Sequence, residues 1–340
     1  MNPAPQTTPG IWPAGIAPSR WAAGVRTDPQ GCRVALLGLP DDTGVALNHG
    51  RPGARNGPTA LRRALASYGV ADPARGRDLG RDDHDDDDSA SPPFPMLWDA
   101  GDVVPIVPDS DDPSLRIAAM LATHERVRQA AAALAAQGMI VLAVGGGHDL
   151  TLPLVLGVMA APIANLRVGG GRVGGVYLDA HLDVRDTPGS GMPFRELIRA
   201  GLGPVLCAGM NPLVNSREHA AWFAQHGGTI RPGWSEPDLG PVSSAAHLFC
   251  SFDLDVLDTS HAPGVSALNP AGWSVREGAA WMDVLASDPR TACIDLMELN
   301  PEHDQQGRTA RVAAHLALVA LRAIARREGA SRPRGQGGMR

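Results

Sequence analysis

The 340 residues are 44% hydrophobic and 19% charged. The 40 glycines and 30 prolines make up about a fifth of the chain, above the usual ~12% but below the ~25–30% of low-complexity sequences, so the extra glycine belongs to turns of a folded protein. All 30 basic residues are arginine, which excludes Schiff-base chemistry and a P-loop, while a net charge of −6 speaks against nucleic acid as a partner.

In chain order, residues 1–30 read as an irregular, proline-rich arm whose two tryptophans favour packing on the body. From Arg33 onward, short apolar runs ending in Gly or Asp alternate with helix-like stretches, the pattern of parallel strands buried between two helix layers. Strands are predicted near 33–38, 139–144, 174–178, 204–208, 248–253 and 291–296. Helices are predicted over 58–68, over the alanine-rich 111–137 behind an Asp-Asp-Pro-Ser cap, and over 309–327. An acidic insertion occupies 81–93, with the run Asp82–Asp88 read as a solvated loop, and the Arg/Gly tail from 329 to 340 reads as disordered. Cys32, Cys207, Cys250 and Cys293 have no CxxC spacing and suit reduced core thiols of a cytoplasmic protein. No apolar run reaches the length of a membrane span.

Three pieces carry chemistry. After the apolar run 174–178 comes Asp179-Ala180-His181-Leu182-Asp183; if the chain stays extended, alternation puts Asp179, His181 and Asp183 on one face at the carboxyl end of a strand, where open parallel sheets bind ligands. Ser251-Phe252-Asp253-Leu254-Asp255 repeats the pattern, with Asp253 and Asp255 together. Gly145-Gly146-Gly147-His148-Asp149 leads a strand through a tight turn, so that His148 meets the other strand ends. Singly, each piece reads as a turn, a cap or a hydrogen-bonded structural residue. Together they gather two histidines and at least four carboxylates, which repel one another unless cations compensate them. This nitrogen-and-oxygen set suits Mn²⁺, with Fe, Co, Ni or Zn as weaker candidates, and carboxylates bridging two ions roughly 3.5–4 Å apart make a nucleophile available at neutral pH. Gly169–Gly174 fits GxGxxG but precedes a strand, so it fails as a dinucleotide loop. His124, His219, His226, His247, His303 and His315 receive no role.

These motifs, with Gly50-Arg51-Pro52-Gly53 and Glu298-Leu299-Asn300-Pro301, resemble the signature set of the ureohydrolase superfamily of arginases, agmatinases and formimidoylglutamases, over about residues 33–325. The resemblance implies an α/β fold, a three-layer αβα single domain (31–328) around a mostly parallel sheet of about eight strands, and homo-oligomers such as trimers, hexamers or dimers. It implies two Mn²⁺, one held by His148, Asp179, Asp183 and Asp253, the other by Asp179, His181, Asp253 and Asp255, with Asp179 and Asp253 bridging. In catalysis Asp183 would hold the attacking water and pass a proton to the departing nitrogen, and Glu298 would orient a cationic amidinium.

Arginases and agmatinases carry a histidine in the loop where this chain has Ser190-Gly191-Met192-Pro193-Phe194-Arg195. That loop resembles the formimidoylglutamase branch, as do Asn48-His49-Gly50-Arg51 and Arg308–Arg311. A small amidine substrate bearing carboxylates needs cations, so Arg195 and Arg51, with Arg55 nearby, are the expected recognition groups, beside Ser190 and Asn48. Thr259 departs from the proline usual in the family. The expected reaction is hydrolysis of N-formimidoyl-L-glutamate to L-glutamate and formamide; the alternatives are a guanidine hydrolase releasing urea and a non-catalytic metal-binding protein.

Overall fold

Strands β2 (Val34–Leu39) and β6 (Ile140–Gly145) are almost wholly aliphatic because both of their faces are covered. Val34, Leu36, Leu142 and Val144 enter one core, while Ala35, Leu37, Val141 and Ala143 enter the other. The computed structural model describes residues 4–69, 71–72, 77–78, 97–161 and 171–331. Further strands are β1 (Thr7–Thr8), β5 (Leu97–Val103), β7 (Val173–Leu178), β8 (Val205–Met210), β9 (Gly228–Pro232), β10 (His247–Asp253) and β11 (Thr291–Met297). A two-stranded hairpin, β3 (Ala71–Asp72) with β4 (Arg77–Asp78), stands apart.

The main sheet has nine strands in the order β1-β5-β2-β6-β11-β10-β7-β8-β9. Only β1 is antiparallel to its neighbour. One core lies under α2 (Gly57–Leu65), α7 (Val275–Ser287) and α8 (Arg308–Ser331); the other lies under α3 (Pro113–Ala136), α4 (Thr151–Ala160), α5 (Pro193–Arg199) and α6 (Arg217–Gln225). The expected three-layer α/β arrangement is therefore present. β6 and β7 are consecutive in sequence but separated in the sheet by β11 and β10, and the helices that follow the neighbours β6 and β11, α4 and α8, leave on opposite faces. Such a switch point opens a crevice at the carboxyl ends of the strands.

The N-terminal arm is bound to the body. Thr7 pairs with Val103, Trp21 is buried, and the Trp12 indole donates to Asp99 Oδ2 at 2.5 Å. β5 contains two acids that are unexpected in a covered strand, Asp99 and Asp102. Both pair with the fully buried guanidinium of Arg62, at 2.8 and 2.7 Å. α3 is capped by Asp112, which accepts from Ser114 N at 2.8 Å. α8 runs through Ser331, past the point where a disordered tail was expected. The acidic insertion at 81–93 and residues 332–340 lie outside the described residues. Thr259 donates its backbone N–H to Asn269 O at 2.9 Å, a bond that proline could not make.

Candidate metal centre

Four adjacent strands, β6, β11, β10 and β7, carry the site at their carboxyl ends. β6 ends in the three-glycine turn, and the middle glycine passes against the chain beyond β2: a Cβ on Gly146 would lie 1.7 Å from Asp41 O. The turn leaves His148 1% exposed at the head of α4.

The two-residue spacing of the acids works differently from the extended alternation expected of it. β7 stops at Leu178 and β10 at Asp253. Asp179 Oδ1 then accepts the N–H of His181 at 2.6 Å, and Asp253 Oδ1 accepts that of Asp255 at 2.8 Å as the chain enters a 3₁₀ turn. These are Asx turns, in which the side chain of residue i folds the backbone back at i+2. Each leaves its second carboxylate oxygen facing the cleft. Asp183 and Glu298 hold left-handed backbones, φ 45° and 65°; such local strain persists where the surrounding structure fixes it.

His148 Nδ1 stands 3.1 Å from Asp179 Oδ2, 3.0 Å from Asp183 Oδ2 and 3.0 Å from Asp253 Oδ2. His181 Nδ1 lies 3.5 Å from Asp179 Oδ1 and 3.0 Å from Asp255 Oδ2. The ligand atoms thus form two groups, His148/Asp179/Asp183/Asp253 and Asp179/His181/Asp255. Asp179 is common to both. Asp253 falls with the first group, and its Oδ1 accepts the Asp255 amide just as Asp179 Oδ1 accepts that of His181.

Burial pushes the Asp179 carboxyl up to about 6, helped by Asp183 and Asp255, and raises Asp253 well above the usual carboxylate range. Burial opposes charge on His181, yet Asp255 and Asp179 overcome it and push the imidazole up to about 12. Like charges packed this closely call for cations. His148 Nδ1 and Asp179 Oδ2 are buried without a directed hydrogen bond, as expected of atoms whose partner is an ion. Imidazole nitrogen with carboxylate oxygen suits Mn²⁺ and its neighbours among divalent ions. The residues fit a pair of such ions.

Residues 32–322 match the model of the arginase family. The chain belongs to the arginase family. It is 33% identical over 293 residues to a formimidoylglutamase of Halobacterium salinarum, covering 82% of this chain and 84% of that one. To a formimidoylglutamase of Ralstonia nicotianae it is 30% identical over 351 residues, covering 94% and 97%. The solved structure of Trypanosoma cruzi formiminoglutamase with Mn²⁺ superposes with a TM-score of 0.73 at 25% identity, covering 92% and 99% of the two chains.

In this arginase-family chain the expected recognition residues divide. Asn48 and Ser190 do meet: the Asn48 amide oxygen, turned to the loop, faces Ser190 N at 3.2 Å and Gly191 N at 2.6 Å. Arg195, in α5, packs into the wall beside the loop. It is 9% exposed, its guanidinium lies 4.2 Å over the Trp222 ring, and its Nε donates to Val184 O at 2.6 Å. Arg51 is likewise engaged, donating to Ser266 O at 3.3 Å and also to Val265 O. Arg55 pairs with Asp42, its Nε 2.7 Å from Oδ1. A long, flexible side chain finds whichever acceptors the fold brings near, and local sequence does not encode them.

Beside this loop stands an exposed cation, Arg185, two residues beyond Asp183. A side chain added at Gly191 would run into it, 2.9 Å from Cδ, and into the Asn48 side-chain amide, 3.0 Å away. His124, which receives no role from the sequence, has its Nε2 2.7 Å from Asp149 Oδ2. The signal for it is a histidine on an apolar helix face, which requires a buried partner. Glu298 is 2% exposed. Its Oε1 accepts His148 N at 2.9 Å, Oε2 has no hydrogen bond, and burial pushes its carboxyl up to about 8.

Among the described residues no helix is long and apolar enough to cross a membrane.

Proposed function

We propose that this chain hydrolyses N-formimidoyl-L-glutamate to L-glutamate and formamide, using two Mn²⁺. The observation that carries the reading is the pair of ligand groups sharing Asp179 at the switch point of the sheet; the formimidoylglutamase relatives that align over most of the chain support the substrate. His148, Asp179, Asp183 and Asp253 would hold one ion, and Asp179, His181, Asp253 and Asp255 the other. The ions would supply Lewis-acid charge and a nucleophile at neutral pH.

The chain's own residues do the rest. Asp183, with its side chain 14% exposed, orients the attacking water and carries its proton to the departing glutamate nitrogen as the C–N bond breaks. Glu298 receives the amidinium. A cation docked on its unpartnered Oε2 offsets the burial that keeps this carboxyl protonated. Arg185 meets a substrate carboxylate at the mouth, in the role first expected of Arg195 and Arg51, with Asn48 and Ser190 fixing the loop beside it. The proposal extends to homo-oligomers in the cytoplasm, which light scattering on eluted protein and cell fractionation would test.

The deciding assay offers N-formimidoyl-L-glutamate, agmatine, arginine and 4-guanidinobutyrate separately to Mn²⁺-loaded protein, with Asp253→Ala as control. Glutamate and formamide should form from the first alone and vanish in the control. Urea from a guanidine would overturn the substrate, and no turnover of any of the four would overturn the enzyme reading.

A further inference from the structure

Behind His148, on the side away from the cleft, lies a second buried carboxylate, Asp295, 1% exposed. It sits on β11, directly paired in register with Ser251 of β10. Ser251 Oγ donates to Asp295 Oδ1 at 2.6 Å, and Thr151 Oγ1, at the head of α4, donates to Asp295 Oδ2 at 3.0 Å. Ser251 Oγ also lies 2.9 Å from His148 Nε2. Ser251 and Thr151 are fully buried. A carboxylate at the centre of a strand covered on both faces is strongly unfavourable unless its partners are fixed, so its position calls for a reason.

Hydrogen counting supplies one. Each hydroxyl has a single proton; Ser251 Oγ and Thr151 Oγ1 also lie 3.2 Å apart, but Asp295 as a carboxylate can only accept, so its 2.6 Å bond to Ser251 takes the serine proton. Toward His148, Ser251 Oγ can therefore only accept. His148 must carry its hydrogen on Nε2, which leaves Nδ1 as the bare nitrogen facing Asp179, Asp183 and Asp253. His181 has no counterpart: among the described residues its ring shows only the Nδ1 contacts given above, and its side chain is 28% exposed.

We infer that Asp295, acting through Ser251, is a positioning residue that fixes the tautomer and ring orientation of His148 for one ion and leaves the other ion's site untouched. This rests on the reading of the cluster as a two-ion site, but not on the substrate. The negative charge relayed through the serine hydroxyl also makes Nδ1 a stronger donor.

The test is a Mn²⁺ titration of the ion-free full chain, followed by electron paramagnetic resonance and metal analysis after dialysis, for wild type, Asp295→Asn and Ser251→Ala. The first substitution keeps the shape of the side chain and removes its charge; the second removes the link to His148. In both variants one of the two ions should bind about 10- to 100-fold more weakly. Retained metal should fall from two ions toward one, and the spin-coupled spectrum of the pair should give way to the six-line spectrum of a single Mn²⁺. Thr151→Val, which leaves the Ser251 link in place, should shift the titration less. If Asp295→Asn gives no cooperative melt, Ser251→Ala decides. Two ions weakened equally, or a coupled spectrum that persists at the same free Mn²⁺, would overturn the inference. Wild-type protein that takes up no Mn²⁺ would overturn the two-ion reading and this inference with it, whereas failure on the formimidoyl substrate alone would leave it standing.

Discussion

Replacing Arg185 by methionine removes the exposed cation at the mouth and keeps most of the side-chain length. A hydrogen bond to a charged group contributes about 1.5–3 kcal/mol. Because Arg185 is exposed, solvent competes for it, and the lower half of that range, about 1.5–2 kcal/mol, applies. At about 1.36 kcal/mol per tenfold change, kcat/KM for N-formimidoyl-L-glutamate should fall about 10- to 30-fold, mostly through KM. An N-alkylformamidine without a carboxylate should lose little, since the ligand set and Glu298 are unchanged. Initial rates on both substrates at saturating Mn²⁺ give the comparison. Equal losses on the two substrates, or no loss on either, would refute the assignment of Arg185 to the carboxylate.

Arg195→Met should instead cost about 1–2 kcal/mol of stability in urea, from the stacking on Trp222 and the bond to Val184 O, with KM nearly unchanged; a raised KM at full stability would return Arg195 to the substrate. Mn²⁺ affinity should rise with pH. In the ion-free cluster His181 is pushed up to about 12 and Asp179 up to about 6, so ions must displace protons. Affinity should therefore weaken at least about tenfold for each pH unit lowered from 8 to 6, and calorimetry showing pH-independent binding would contradict this. Gly146→Ala drives a Cβ into the Asp41 carbonyl, while Gly146 O accepts the Glu298 N–H at 2.9 Å. The strain should cost about 1–3 kcal/mol and displace Glu298, so that thermal melting and kcat fall together; a fall in only one of them would show that the two are not linked through this turn.

Strand content was legible where aliphatic runs are long, as in β2, β6, β10 and β11, because burial on both faces leaves no room for polar residues. β5 was missed because Asp99 and Asp102 interrupt it, and only the fold reveals that Arg62 and Trp12 neutralise them. β9, a half-exposed edge strand of sequence Gly-Thr-Ile-Arg-Pro, carries no apolar run to read. The ligands were legible because they lie close to strand ends, a local property. The arginines were not. Arg51 reaches the loop at 263–266 and Arg195 reaches Trp222, contacts set by chain separations that no motif spans. Asp295 did leave a signal, since an acid inside Thr-Ala-Cys-Ile-Asp-Leu-Met has to be explained.

The same economy recurs at each end of the crevice. Asp179, Asp253 and Glu298 each give one oxygen to a main-chain amide, of His181, Asp255 and His148 respectively, and each of those three amides belongs to another residue of the site. A carboxylate so held cannot rotate away from its neighbours' charge, which is what an ion-free cluster of acids would otherwise do. The backbone bonds also stabilise the anionic forms without cancelling the field in the cleft. The motif spacing therefore encodes more than which residues are ligands: with successive ligand positions two residues apart, the bond that turns the chain is the bond that aims the carboxylate.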